Sequence, residues 1–209
     1  MTAFAVPTPV GEARVHLTEP GGGAARGAVV LGHGAGGGIA ARDLLAAERA
    51  ALNANLTAAL VEQPYRVAGR RSAPPATRLD LAWLAVLEWL RERLGDRPVV
   101  CGGRSSGARV ACRTAAQVGA VGVLCLAFPL RPPTRAGSDR TPPSRLGELE
   151  AVPVPTLVVQ GANDRFGVPP AAPGRDVVVV TGDHALRGEL PRIAEIVELW
   201  LAQLPVPAR

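Results

Sequence analysis

The sequence predicts an α/β fold with a mostly parallel central sheet. Two observations point there. Short apolar runs without a 3.6-residue period alternate along the chain with longer runs that have one. Several of the apolar runs also end directly on glycine-rich or Asp/His-bearing turns, as parallel strands do where they feed a helix. The length of 209 residues suits one such domain, 1–209. A domain of this size buries roughly 70% of its unfolded surface and so carries its own core.

In chain order, Ala13–Leu17 reads as a peripheral strand before a Gly21-Gly22-Gly23 turn, and no element is assigned ahead of it. Ala28–Gly32 is the first clear strand. Residues from Ala40 to about Asn53, rich in Ala, Leu, Arg and Glu, read as a helix, and Thr57–Val61 as a strand closed by Pro64. Tyr65–Ala76 is interrupted by Arg, Pro and Gly and reads as a loop. Thr77–Leu94 is the longest helical pattern. Leu79, Trp83, Val86, Leu87, Leu90 and Leu94 share one face, and Gly95 ends it. Val99–Cys101 is a strand, Ala108–Gln117 a helix, and Val121–Phe128 the most apolar strand, fit for a central position. Pro129–Pro155 breaks the pattern with Pro and Arg, around one short helix near Ser144–Glu150. Thr156–Gln160 and Asp176–Val180 are strands. Pro191–Leu204 is an amphipathic helix with Ile193, Val197, Trp200 and Leu204 on one side.

Composition removes several classes. Glycine (24) and proline (20) make up about 21% of the chain, below the roughly 25–30% of low-complexity disorder, while 47% is hydrophobic. No apolar run approaches the ~18 residues of a membrane span, and the start resembles no secretory signal. A cytoplasmic protein without a membrane partner is expected. All 23 cations behind the +5 net charge are arginine and are scattered, which fits GC-rich coding. With seven aromatic residues (Trp 3, Tyr 1, Phe 3) there is no stacking platform, so no nucleic-acid partner is expected. Cys101, Cys112 and Cys125 form no disulfide framework, and neither they nor the histidines have zinc-like spacing, so no metal or other cofactor is expected.

The strongest motif is Gly103-Arg104-Ser105-Ser106-Gly107, between a strand and a helix. A nucleophile at such a sharp turn needs small neighbours so that adjacent backbone can approach. With five serines and 24 glycines, chance supplies only ~0.07 such matches in the whole chain. Leu31-Gly32-His33-Gly34-Ala35-Gly36-Gly37-Gly38 also starts at a strand end. Its backbone N–H groups could stabilise an oxyanion, and it lacks the Gly-Lys-Ser/Thr ending of a phosphate loop.

Acyl transfer also needs a base and an orienting acid. His184 lies just past the last strand and after the serine. His16 reads as a partly exposed strand residue, and His33 as an organiser of its own glycine loop. Asp164 and Asp183 are the candidate acids. Asp164 is favoured, because adjacent side chains such as Asp183 and His184 rarely meet in an orienting hydrogen bond.

The ordered set Gly-His-Gly-Ala-Gly-Gly, Gly-Arg-Ser-Ser-Gly, Gly-Ala-Asn-Asp and Gly-Asp-His resembles the α/β-hydrolase superfamily. Tyr65–Arg71 and Phe128–Pro133 look like its small branch related to dienelactone hydrolases. That branch includes testis-expressed hydrolase-like proteins and a hydrolase-like region of an NSL-complex subunit. The resemblance runs from about Gly11 to Leu204. It implies a three-layer α/β-hydrolase fold, a mostly parallel central sheet with helices on both faces, and a minimal cap or none. It also implies Ser105 as nucleophile, His184 as base, Asp164 as acid, and the N–H groups of Ala35 and Ser106 as oxyanion hole. Dienelactone hydrolases use a cysteine where this chain has Ser105, so serine-type ester or thioester cleavage is implied rather than their substrate. The expected partner is a small acyl substrate. His33, Gly34, Arg104 and Arg165 are candidate substrate contacts, and the arginines, with Arg70, Arg71 and Arg131 on loops, raise an anionic substrate as a hypothesis. The competing reading is a non-catalytic hydrolase-like scaffold that binds proteins.

Overall fold

The computed structural model describes residues 1–132 and 142–206. Its strands are β1 (Thr2–Thr8), β2 (Gly11–Thr18), β3 (Ala28–Gly32), β4 (Thr57–Glu62), β5 (Val99–Arg104), β6 (Gly122–Leu126), β7 (Thr156–Gly161) and β8 (Arg175–Val180). Its helices are α1 (Arg42–Asn53), α2 (Pro64–Val67), α3 (Ala76–Leu94), α4 (Ser106–Thr114), α5 (Leu146–Glu150) and α6 (Leu190–Gln203). The strands form one sheet in the order β1-β2-β4-β3-β5-β6-β7-β8. β2 is antiparallel to both neighbours, and β3 to β8 run parallel.

The central strands lack polar alternation because both of their faces are covered. Val30, Cys101, Val123 and Cys125 face α3, α4 and α5. Val29, Leu31, Val100, Leu124 and Leu126 face α1 and α6. The three cysteines are free and buried, and burial pushes the Cys101 thiol up to about 12.

The structure departs from expectation in a few places. β1 was assigned no element. Pro7 and a single buried residue, Val6, disguise it, and proline is tolerated there because β1 is an edge strand. β1 covers β2, so the strand read as peripheral is interior to the sheet, while His16 on it stays partly exposed as expected, with its Nε2 3.0 Å from Glu62 Oε2. The expected loop from Tyr65 opens with α2, because Pro64 sits in the first turn, where its missing N–H has no intrahelical partner to lose. α4 starts at Ser106 instead of Ala108, so Gly107 belongs to a helix. Residues 133–141, inside the Pro/Arg-rich stretch considered as a cap, lie outside the described residues. Both described ends of that stretch are pinned together, with Arg145 N–H donating to the Leu130 carbonyl (2.8 Å). Arg109 and Arg113 of α4 pair with Glu148 of α5 and hold the returning chain to the core.

Candidate active site

Every candidate group sits at the carboxyl edge of the parallel strands. β3 delivers the glycine loop, β5 delivers Ser105, β7 delivers Asp164 and β8 delivers His184. Ser105 occupies the turn from β5 to α4 at φ 53°, a left-handed conformation that a side chain adopts at a cost of about 1–3 kcal/mol. Its N–H donates to the Leu126 carbonyl (2.9 Å), which anchors the turn to β6. The glycines on either side are required by close backbone approach. A Cβ on Gly103 or on Gly107 would overlap the Gly32 carbonyl of β3.

His184 bridges the other two groups. Its Nε2 lies 3.0 Å from Ser105 Oγ and its Nδ1 2.8 Å from Asp164 Oδ2. A carboxylate only accepts, so Nδ1 carries the proton and Nε2 is the free acceptor facing the hydroxyl. The Asp164 side chain is fully buried. Its oxygens also accept from the Gln160 amide (2.7 Å) and the Phe166 N–H (2.9 Å). Phe166 packs its ring edge-on to His184 with centroids 4.4 Å apart. Gln160 and Phe166 were not singled out from the sequence, where a strand glutamine and a loop phenylalanine carry no distinctive signal. Asp183, the alternative acid, instead accepts the Ala185 N–H (2.9 Å).

The glycine loop lies against the serine, and a Cβ on Gly34 would stand 3.5 Å from Ser105 Cβ. Among the described residues, the N–H groups of Ala35 and Ser106 have no acceptor. Tyr65 of α2 props the loop by donating to the Ala35 carbonyl (2.8 Å).

Two expected substrate contacts are otherwise engaged. His33 is 2% exposed and both its ring nitrogens are used internally. Nε2 accepts the Gln63 N–H (3.1 Å), so Nδ1 holds the proton and donates to the Gly34 carbonyl (2.9 Å). That carbonyl shares a peptide plane with the Ala35 N–H, so His33 orients the candidate oxyanion donor. Arg104 is likewise committed, with Nε 2.9 Å from Asp43 Oδ2 and Nη2 donating to the His184 carbonyl (2.9 Å). Arg165 is exposed beside the site, its guanidinium 4.9 Å above the Phe166 ring.

Burial pushes the His33 pKa below its ordinary 6.5. The unfolded chain therefore binds the proton more readily. Stability from this group is complete above about pH 6.5 and falls as pH drops through that value toward the folded-state pKa. Thermal melts at about pH 7.5 and about pH 5 should show a larger drop for the native protein than for His33→Asn.

The family profile described as alpha/beta hydrolase domain matches residues 25–186. Solved structures repeat the fold over nearly the whole chain. An alpha-beta serine hydrolase homologue from Coxiella burnetii is 19% identical with a TM-score of 0.77, over 96% of this chain and 97% of that one. A Xanthomonas campestris protein described as an α/β serine hydrolase without a lid is 21% identical with a TM-score of 0.76, over 99% and 96%. Dienelactone hydrolase from Anabaena variabilis is 17% identical with a TM-score of 0.73, over 97% of each chain. No curated protein sequence matches. The fold is thus that of an α/β hydrolase. The chain belongs to the alpha/beta hydrolase domain family, and family and fold together support a hydrolase. Among the described residues, no helix is long and apolar enough to cross a membrane.

Proposed function

We propose that the protein is a serine hydrolase that cleaves a small carboxylic ester or thioester through an acyl-enzyme on Ser105. The observation that carries this reading is His184, placed within hydrogen-bond reach of both the Ser105 hydroxyl and the buried Asp164 carboxylate. His184 Nε2 takes the hydroxyl proton as Oγ bonds to the substrate carbonyl carbon. The carbonyl oxygen becomes an oxyanion held by the Ala35 and Ser106 N–H groups, each such donor lowering the barrier by about 3 kcal/mol. The bond to the leaving group breaks as His184 returns the proton to it. Water then repeats the sequence on the acyl-enzyme and releases the acid and free Ser105. Asp164 holds the imidazole in the required tautomer throughout.

Small or exposed acyl groups suit this site, because the long helices of the described residues, α1, α3, α4 and α6, all cover the sheet, and α2 and α5 are only four and five residues long. Labelling with a fluorophosphonate probe tests the reading. Covalent modification at Ser105 of the native protein is expected. A folded protein left unlabelled would favour the scaffold reading instead.

A further inference from the structure

Arg104, the arginine inside the serine turn, is held by groups of the protein itself. Its three nitrogens face three different segments. Nε lies 2.9 Å from Oδ2 of Asp43, at the start of α1, and Nη2 donates to the His184 carbonyl (2.9 Å). Nη1 is the nearest atom to the place a Gly34 Cβ would occupy, at 2.9 Å. Asp43 is 1% exposed, and its other oxygen accepts the Leu44 N–H (3.0 Å). The Arg104–Asp43 contact is therefore a charge pair with little access to water, where losing one partner strands the other.

We propose that Arg104 is a positioning residue that locks the His184 backbone to the serine turn, with Asp43 as its counter-charge. The inference rests on the serine-hydrolase reading. The fork shape of guanidinium allows it, since one planar group reaches a carboxylate and a carbonyl at once, which a lysine ammonium on a single flexible stem does not reproduce. It also makes a claim about specificity. The Arg104 charge is matched by Asp43, so an anionic ester gains no preference from it over a neutral one.

The test compares Arg104→Lys with the native protein on a neutral ester, 4-nitrophenyl butyrate, and on a carboxylate-bearing one, 4-nitrophenyl hemisuccinate. The expected result is a fall in kcat of about tenfold or more, equal for the two esters, with KM nearly unchanged. A selective loss on the hemisuccinate, a change confined to KM, or native kcat in a folded Arg104→Lys protein would each overturn the proposal. A second variant guards against misfolding. Arg104→Met/Asp43→Asn removes both charges, and its melting temperature should recover most of what Arg104→Met alone loses. Its kcat should remain low, and native kcat would refute the role. The downfield proton resonance of the His184 Nδ1–H···Asp164 bond reads the same placement without turnover. It should broaden or shift in Arg104→Lys, and an unmoved resonance counts against the lock. A native protein that neither turns over ester nor labels at Ser105 sinks the hydrolase reading alone, because this resonance still reports on Arg104.

Discussion

Ser105→Ala is expected to lower kcat on short acyl esters by about 10⁶-fold, to the residual rate that oxyanion donors and binding sustain alone. The size of the loss follows from the hydrogen-bond chain. With no hydroxyl at 3.0 Å from His184 Nε2, neither the base nor Asp164 behind it has a nucleophile to act on. Fluorophosphonate labelling should vanish with the activity. Stability should not fall, because alanine keeps the same left-handed backbone at φ 53°. Ser105→Gly should raise stability by about 1 kcal/mol, since glycine holds that conformation without strain. Unchanged esterase activity in Ser105→Ala would reject Ser105 as the nucleophile.

Gly107→Ala is expected to carry a large stability cost for a single added methyl group. In an open helix the same change would stabilise by about 1 kcal/mol. Here the new Cβ would overlap the carbonyl of Gly32, and backbone has no rotamer by which to yield. α4 and β3 must separate, at about 3 kcal/mol, which lowers Tm by roughly 6–12 °C in a chain of this length. Activity should fall too, since β3 carries the glycine loop that lies against Ser105. Thermal melting and ester turnover on one preparation check both effects. An unshifted Tm would mean that the two backbones are not held this close.

The site was legible where chemistry forces a rare local pattern. A serine between glycines at a strand–helix junction stands out because a sharp turn against a neighbouring strand excludes side chains. Asp164 could be chosen over Asp183 because adjacent residues seldom turn their side chains toward each other, and His184 does bond to Asp164. The fold was legible for a related reason. Continuous apolar runs mark strands covered on both faces. β1 and α2 were missed, and each carries a proline, which is tolerated at a sheet edge and in a first helical turn.

By itself, then, the sequence determined the α/β class with its mostly parallel sheet, and it put forward the candidate serine, acid and histidine, in their order, at strand ends. Periodicity, turn chemistry and motif spacing are local properties of the chain. Only the tertiary structure decided what the remaining polar groups do. An arginine beside a nucleophile looks like an anion contact until Asp43, 61 positions earlier, is found against it. A histidine in a glycine loop reads as its organiser, but only the Gln63 N–H, 30 positions later, fixes which ring nitrogen faces the loop. Such partners are set by which strands lie side by side, and in a parallel sheet those strands are joined through helices, far apart along the chain.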